Sequence, residues 1–170
     1  DSYEYNNPRE DRILSWDFII ENGEFSVGPA TALGSPTLYQ VESIQADKHY
    51  QTLLVAEEMK EHHKVMALDL MTGEVIKEDL GNFDRGNDPE GIALVVNKNN
   101  NGYWICTEQS KTDNRFHLYD RKTLEYKTTM YLDNVSYTDG IATAYMHGKW
   151  FLYAVDNDAR IVAFELPEIN

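Results

Sequence analysis

Pro89-Glu90-Gly91, near the middle of the chain, is one of three copies of a short acidic motif. The motif also occurs as Val41-Glu42-Ser43 and as Thr138-Asp139-Gly140, so that successive carboxylates lie 48 and 49 residues apart. Behind each copy, about 13 to 15 residues on, an apolar segment ends in polar or acidic residues, at 54–58, 104–109 and 152–156. A repeat of this length that consists of short strands is typical of β-propeller blades.

The pattern of apolar residues predicts strands along most of the chain. Two strands, 12–20 and 24–33, precede the repeats and are joined by a tight turn at Asn22-Gly23. The repeats predict two complete four-stranded blades at about 40–82 and 88–132, followed by three further strands. Propellers usually have about four to eight blades, so three blades cannot close a ring without exposing strand edges. We therefore predict an all-β chain that is part of a larger, six-bladed propeller, or that completes a ring with a second copy.

The chain is strongly acidic, with a net charge of −14 over 170 residues. This charge disfavours nucleic acids and anionic membranes as partners, because phosphate groups are bound by Lys and Arg. It is equally consistent with simple solubility and with bound cations. No apolar run approaches the roughly 18 residues of a membrane-spanning helix. The single cysteine, Cys106, excludes an internal disulfide and a cysteine-based zinc site. Because the chain begins at Asp1 rather than Met, we expect a processed form, a fragment or an excised domain.

The carboxylates of the repeated motif are candidates for a cation site. Asp88 and Glu90 lie two residues apart in an extended segment, so their side chains face the same way. Like charges this close repel unless a cation or a proton intervenes. An exposed turn before a strand would also contain such residues, but the recurrence of the acid as Glu42 and Asp139 favours a ring of acids. Oxygen ligands of this kind suit calcium.

Other polar residues are weaker candidates. Glu58 and Gln109 end equivalent strands, where solvated side chains are also common. Asp133 precedes Asp139 by six residues, and the loop between them could bring both carboxylates to one ion or leave Asp133 in a surface turn. His62-His63 is predicted to lie in a solvated loop. The sequence contains no glycine-rich phosphate loop, nucleophile elbow or Cys-His pair.

Several stretches, in order and at near-identical spacing from about 38 to 156, resemble the β-propeller phytases, which are alkaline, calcium-dependent enzymes. They include Leu54-Val55-Ala56-Glu57-Glu58, Asp88-Pro89-Glu90-Gly91-Ile92, Leu118-Tyr119-Asp120-Arg121, Thr138-Asp139-Gly140-Ile141 and Tyr153-Ala154-Val155-Asp156. The resemblance covers roughly the C-terminal half of such an enzyme, which is a six-bladed propeller.

This resemblance implies a secreted or periplasmic, 3-phytase-like phosphoric monoester hydrolase. Its substrate would be calcium-bound inositol hexakisphosphate (phytate) or another phosphate ester. The resemblance also implies several calcium ions, held by residues that match the family's acidic positions: Glu42, Glu58, Asp88, Glu90, Gln109, Asp133 and Asp139. Among them we assign catalytic roles to Glu42, Glu90 and Asp139.

The chain also departs from the family pattern. The family's Lys and Arg phosphate contacts lie in the half that has no counterpart here, Ser43 replaces a common glycine, and Val155 replaces a polar residue. We therefore expect the chain to supply the acidic half of the site and to need the missing propeller half, or a second copy, as a partner. Two alternatives remain at this point: a non-catalytic, calcium-binding propeller module for ligand or protein binding, and a hydrolase of another phosphate ester or organic ester.

Overall fold

The computed structural model describes residues 12–34, 36–84, 86–112 and 114–167, which form fifteen β-strands and no helix. The predicted all-β class is confirmed. The first predicted hairpin is broken into two short ladders, which pair β1 (Leu14–Ser15) with β4 (Thr31–Ala32) and β2 (Phe18–Glu21) with β3 (Glu24–Val27). A hydrogen bond from Gly28 N to Asp17 O (2.9 Å) joins these ladders into one bent hairpin. No segment of the described chain forms a helix long and apolar enough to cross a membrane.

Two four-stranded antiparallel sheets follow, each with its strands in chain order. The first contains β5 (Val41–Asp47), β6 (Thr52–Glu57), β7 (Lys64–Asp69) and β8 (Val75–Lys77). The second contains β9 (Asp88–Val96), β10 (Gly102–Gln109), β11 (Arg115–Asp120) and β12 (Tyr126–Tyr131). A third sheet has three strands: β13 (Ile141–Met146), β14 (Lys149–Asp156) and β15 (Arg160–Glu165).

The second strand of each complete sheet is buried on both faces. In β6, Leu54 packs in a core with Trp104 and Cys106 of the next sheet, whereas Leu53 packs in a core with Ile13. Successive side chains of a strand point to opposite faces, so β6 contributes to two separate cores. A strand in a sheet that packs between two layers therefore has apolar residues at successive positions, because both of its faces are buried.

The first strand of the second sheet, β9, lies next to the first strands of the other two, β5 and β13. We call these three the inner strands. A Cβ added at Gly91 would lie 2.8 Å from Ile141 N, so only glycine allows this approach of β9 to the start of β13. Ile92 N donates a hydrogen bond to Ser43 Oγ (3.1 Å), and Thr143 Oγ1 donates one to Leu94 O (2.8 Å). Direct contacts thus fix the inner strands relative to each other.

A buried ion pair joins the two complete sheets at the ends of the strands that lie away from Glu42 and Glu90. Arg121 donates from Nε to Asp47 Oδ2 (2.6 Å) and from a terminal nitrogen to Asp47 Oδ1 (2.7 Å). The same guanidinium also donates to Asn100 O (2.6 Å). Asp47 is 3% exposed and Arg121 is 4% exposed. Burial alone would raise the pKa of Asp47, but the hydrogen bonds from Arg121 and from His49 N hold it below its ordinary value.

Candidate metal centre

Two of the repeated acids lie at β-bulges on inner strands. On β5, the pairing with β6 shifts between Val41 and Ser43, which leaves Glu42 as the extra residue. On β9, the pairing with β10 shifts in the same way, and the extra residue falls within Glu90-Gly91. A bulge interrupts the ladder and redirects a side chain. In these two sheets the repeated spacing therefore corresponds to a repeated bulge that redirects one carboxylate.

The third acid, Asp139, comes two residues before β13. Val155 N donates to Gly140 O (3.0 Å), so this segment is already paired with the neighbouring strand. Asp139 is exposed and accepts a hydrogen bond from the side-chain amide of Gln109, which ends strand β10 of the preceding sheet. The two predicted site residues, from different sheets, are thus in direct contact.

Repulsion between acids of three sheets perturbs the pKa values of several of them. Burial and a hydrogen bond with Glu42, with repulsion from Glu42, Asp88 and Asp139, raise the pKa of Glu58 to about 8. Burial, followed by repulsion from the same three acids and Glu58, raises the pKa of Glu90 to about 8. The pKa of Asp139 is also raised, first by burial and then by the neighbouring Asp158. A set of carboxylates that suppress each other's ionisation needs protons or cations to be stable.

Two glutamine amides hold these acids in place. The Gln40 side chain donates to Glu42 Oε1 (3.2 Å) and also to Glu58, and Gln109 donates to Asp139 as described above. Amide and carboxylate oxygens are the donors that calcium prefers, and the predicted ligands contribute oxygen atoms only. The donor set therefore fits calcium better than zinc.

The other predicted residues are placed differently. Asp88 is half-exposed and lies 3.1 Å, Oδ1 to Nε2, from His63, although the two groups are not aligned as a hydrogen bond. Asp133 is exposed in the turn after β12, and we find no hydrogen bond or ion pair from it to a described residue. Within the described ranges, no three or more His, Cys, Asp or Glu side chains lie close enough together, as placed here, to hold a metal ion.

The prediction of a solvated His62-His63 loop is wrong for one of the two residues. His62 is exposed and stacks on Tyr39, with ring centroids 4.2 Å apart. The side chain of His63 is only 9% exposed and packs against Asp88. Two adjacent histidines in a polar segment carry no periodic signal, so the sequence did not show which one the neighbouring sheet would cover.

Stability without metal should depend on pH through Glu58 and Glu90. Their ordinary pKa is 4.5 and their folded-state pKa is about 8. Between these values the folded chain retains protons that the unfolded chain has lost, so the free energy of unfolding falls as pH rises. With a chelator present, we expect the melting temperature to fall from about pH 5 to about pH 8, and calcium to oppose this fall. Melting curves across this range test the sign, and a rise without calcium would contradict it.

The fold and the converging acids define a class of protein: a β-propeller with an acidic end. The profile of the Phytase family matches residues 19–149, which is more than half of the chain. The chain belongs to the phytase family, as its resemblance to the β-propeller phytases predicted.

Comparison with solved structures supports the fold. The structure of the Dos1 propeller matches with a TM-score of 0.53 at 6% identity, and the match covers 93% of this chain and 41% of that chain. The chain thus spans less than half the length of that propeller chain. At this identity the similarity shows the fold alone. No curated protein matches the sequence.

Proposed function

We propose that this chain supplies the acidic, calcium-binding side of a calcium-dependent phosphomonoesterase that releases phosphate from inositol hexakisphosphate. The observation that carries the proposal is that acids of three sheets lie at one end of the inner strands, where Gln40 contacts Glu42 and Glu58 and Gln109 contacts Asp139. The repulsion among these acids, Asp88 and Glu90 supports it. Membership of the phytase family supports the reaction type.

The residues of the chain would hold calcium and orient the groups around it. Glu42 and Glu90 would bind it from their bulges, and Asp139, steadied by Gln109, from the next sheet. When bound, calcium supplies positive charge that attracts a polyanionic phosphate ester and stabilises the charge that develops on phosphate. At neutral pH, Glu58 and Glu90 hold protons in the absence of metal, and these protons would leave as calcium binds. Asp88 and Asp133 complete the proposed set, Asp133 after movement of its turn.

The edges of the described structure support a partner that completes the ring. On the N-terminal hairpin, Phe18 and Ile20 are 71% and 74% exposed, and Phe18 stacks on Phe25. At the other end, Ile161 on the edge strand β15 is 72% exposed. Exposed apolar strands with an open edge pair readily with other strands. We propose that a missing propeller half or a second copy of this chain covers these surfaces and supplies basic groups that contact phosphate.

The experiment compares phosphate release from calcium-phytate by this chain and by a longer parent polypeptide. We expect the chain alone to associate with itself in light scattering and to release phosphate slowly or not at all, because acids alone do not position a polyanion. The longer polypeptide should release phosphate only with calcium. A monodisperse, monomeric chain with enzyme-like turnover would refute the half-site proposal. Calcium binding without turnover by either sample would favour a non-catalytic calcium-binding module.

A further inference from the structure

A second set of carboxylates also repeats, one per sheet, beside the proposed calcium ligands. Glu57, Glu108 and Asp156 lie at the ends of β6, β10 and β14, and they are 1%, 0% and 6% exposed. We call them the anchor carboxylates. Buried carboxylates are costly unless hydrogen bonds satisfy them, so their partners indicate what each one does.

Glu57 accepts hydrogen bonds from backbone N–H groups that lie close in sequence to the two proposed ligands of its sheet, Glu42 and Glu58. It accepts from Tyr39 N (2.7 Å) and Gln40 N (2.6 Å), just before β5, and from Met59 N (3.2 Å), just after Glu58. Gln40 in turn donates from its side chain to Glu42 and Glu58. Glu57 therefore fixes the residue whose amide holds two of the acids.

Glu108 does the same for the next sheet. It accepts from Asn87 Nδ2 (2.6 Å), immediately before Asp88, and from Asp84 N (3.3 Å). It also makes a 2.7 Å hydrogen bond with His117 Nε2 and accepts one from the Arg115 guanidinium (3.3 Å). His117 Nδ1 lies 2.8 Å from Thr129 Oγ1. The segment that leads into β9 is thus tied to the strand that ends in Gln109.

Asp156 repeats the arrangement in the third sheet. It accepts from Ser136 N (3.0 Å), three residues before Asp139, and from Arg160 Nε (2.6 Å). Asn157 N donates back to Ser136 O (2.9 Å). In each sheet, therefore, the end of the second strand holds the segment that leads into the first.

We propose that Glu57, Glu108 and Asp156 are positioning residues, which do not bind calcium themselves but set the direction of the acids that do. The proposal rests on the proposed calcium site. Residues that orient metal ligands commonly contribute about 10- to 100-fold in metal affinity. The anchor carboxylates should act in this way because each holds, through backbone or amide hydrogen bonds, a segment adjacent to a ligand.

The test is the calcium affinity of Glu57→Gln, measured by titration calorimetry on the folded chain. The change keeps the size of the side chain but turns one acceptor into a donor that faces a backbone N–H. We expect calcium affinity to fall by about 10-fold or more. The matched control is Asp47→Asn, a buried carboxylate at the far end of the same sheet, which should lower the melting temperature while changing calcium affinity less than about 2-fold.

Each outcome decides the proposal. Unchanged affinity in Glu57→Gln, or equal weakening by Asp47→Asn, would show that the anchor carboxylates have a structural role only. If Glu57→Gln does not fold, Asp156→Asn is measured in its place and is judged by the same criteria. If the wild-type chain binds no calcium, the proposed function fails, and this inference fails with it. Calcium binding by the wild type with unchanged affinity in the anchor variant that is measured overturns this inference alone.

Discussion

An Asp88→Asn/Glu90→Gln double variant is expected to lose the stabilisation that calcium gives the wild-type chain. At a free calcium concentration of about 100 times the dissociation constant, binding to the folded state alone stabilises it by about 2.7 kcal/mol, and the double variant should show almost none of this. Without calcium the order should reverse. At neutral pH the variant should then melt at a higher temperature than the wild type, because residue 90 no longer has to retain a proton on folding and residue 88 no longer repels Glu58.

The same substitutions in an assembled enzyme should reduce phosphate release by about 100-fold or more, as the loss of groups that stabilise developing charge commonly does. The control is a Glu74→Gln/Glu125→Gln variant, which removes two exposed charges from the hairpin turns at the opposite ends of the strands. It should respond to calcium as the wild type does. Equal stabilisation of the Asp88→Asn/Glu90→Gln variant and the wild type would refute the assignment of these ligands.

Replacement of Arg121 by methionine is expected to lower the free energy of unfolding by about 3–5 kcal/mol, because it leaves the buried carboxylate of Asp47 without its partner. Chemical denaturation at pH 7 measures this loss. The stabilising effect of Asp47 is present above its unfolded-state pKa of 3.8 and is lost as pH falls through its lower folded-state value. The difference between wild type and Arg121→Met should therefore shrink in strong acid.

Two further variants separate the ion pair from general packing. In an Asp47→Asn/Arg121→Met double variant, part of the lost stability should return, since no charge is then left buried and unpaired. Lys149→Met breaks the ion pair of Lys149 and Glu165, whose side chains are 56% and 52% exposed. It should lower the free energy of unfolding by less than about 1 kcal/mol. An effect of Arg121→Met as small as that of Lys149→Met would show that the buried pair is not what joins the sheets.

The repeated acids could be recognised in the sequence because their spacing follows the length of the repeat, and their role as metal ligands stays a prediction. The strands were also predictable, since apolar runs such as that of β6 pack between two neighbouring sheets. The bulges at Glu42 and Glu90 were not predictable, because a bulge is a property of the pairing between two strands and neither strand alone encodes it.

The pair Glu57-Glu58 shows what a sequence pattern cannot predict about a single residue. Alternation in a strand requires the two side chains to face opposite ways, but it does not say which one is buried. The structure buries Glu57 because three backbone N–H groups converge on it, and two of these belong to residues 39 and 40, far away in sequence. A local pattern cannot report a partner supplied by another segment. The position of Asp133 within the proposed site remains a prediction.

The acids belong to three sheets, and this has a mechanical consequence. Cys106 is the chain's single cysteine and is buried, so no disulfide within the chain can join one sheet to the next. Carboxylates at the meeting point push the sheets apart when they are charged and empty, whereas a divalent cation would pull them together. Calcium bound at the acidic end would then link the three sheets reversibly, and the stability of this link would increase with the free calcium concentration.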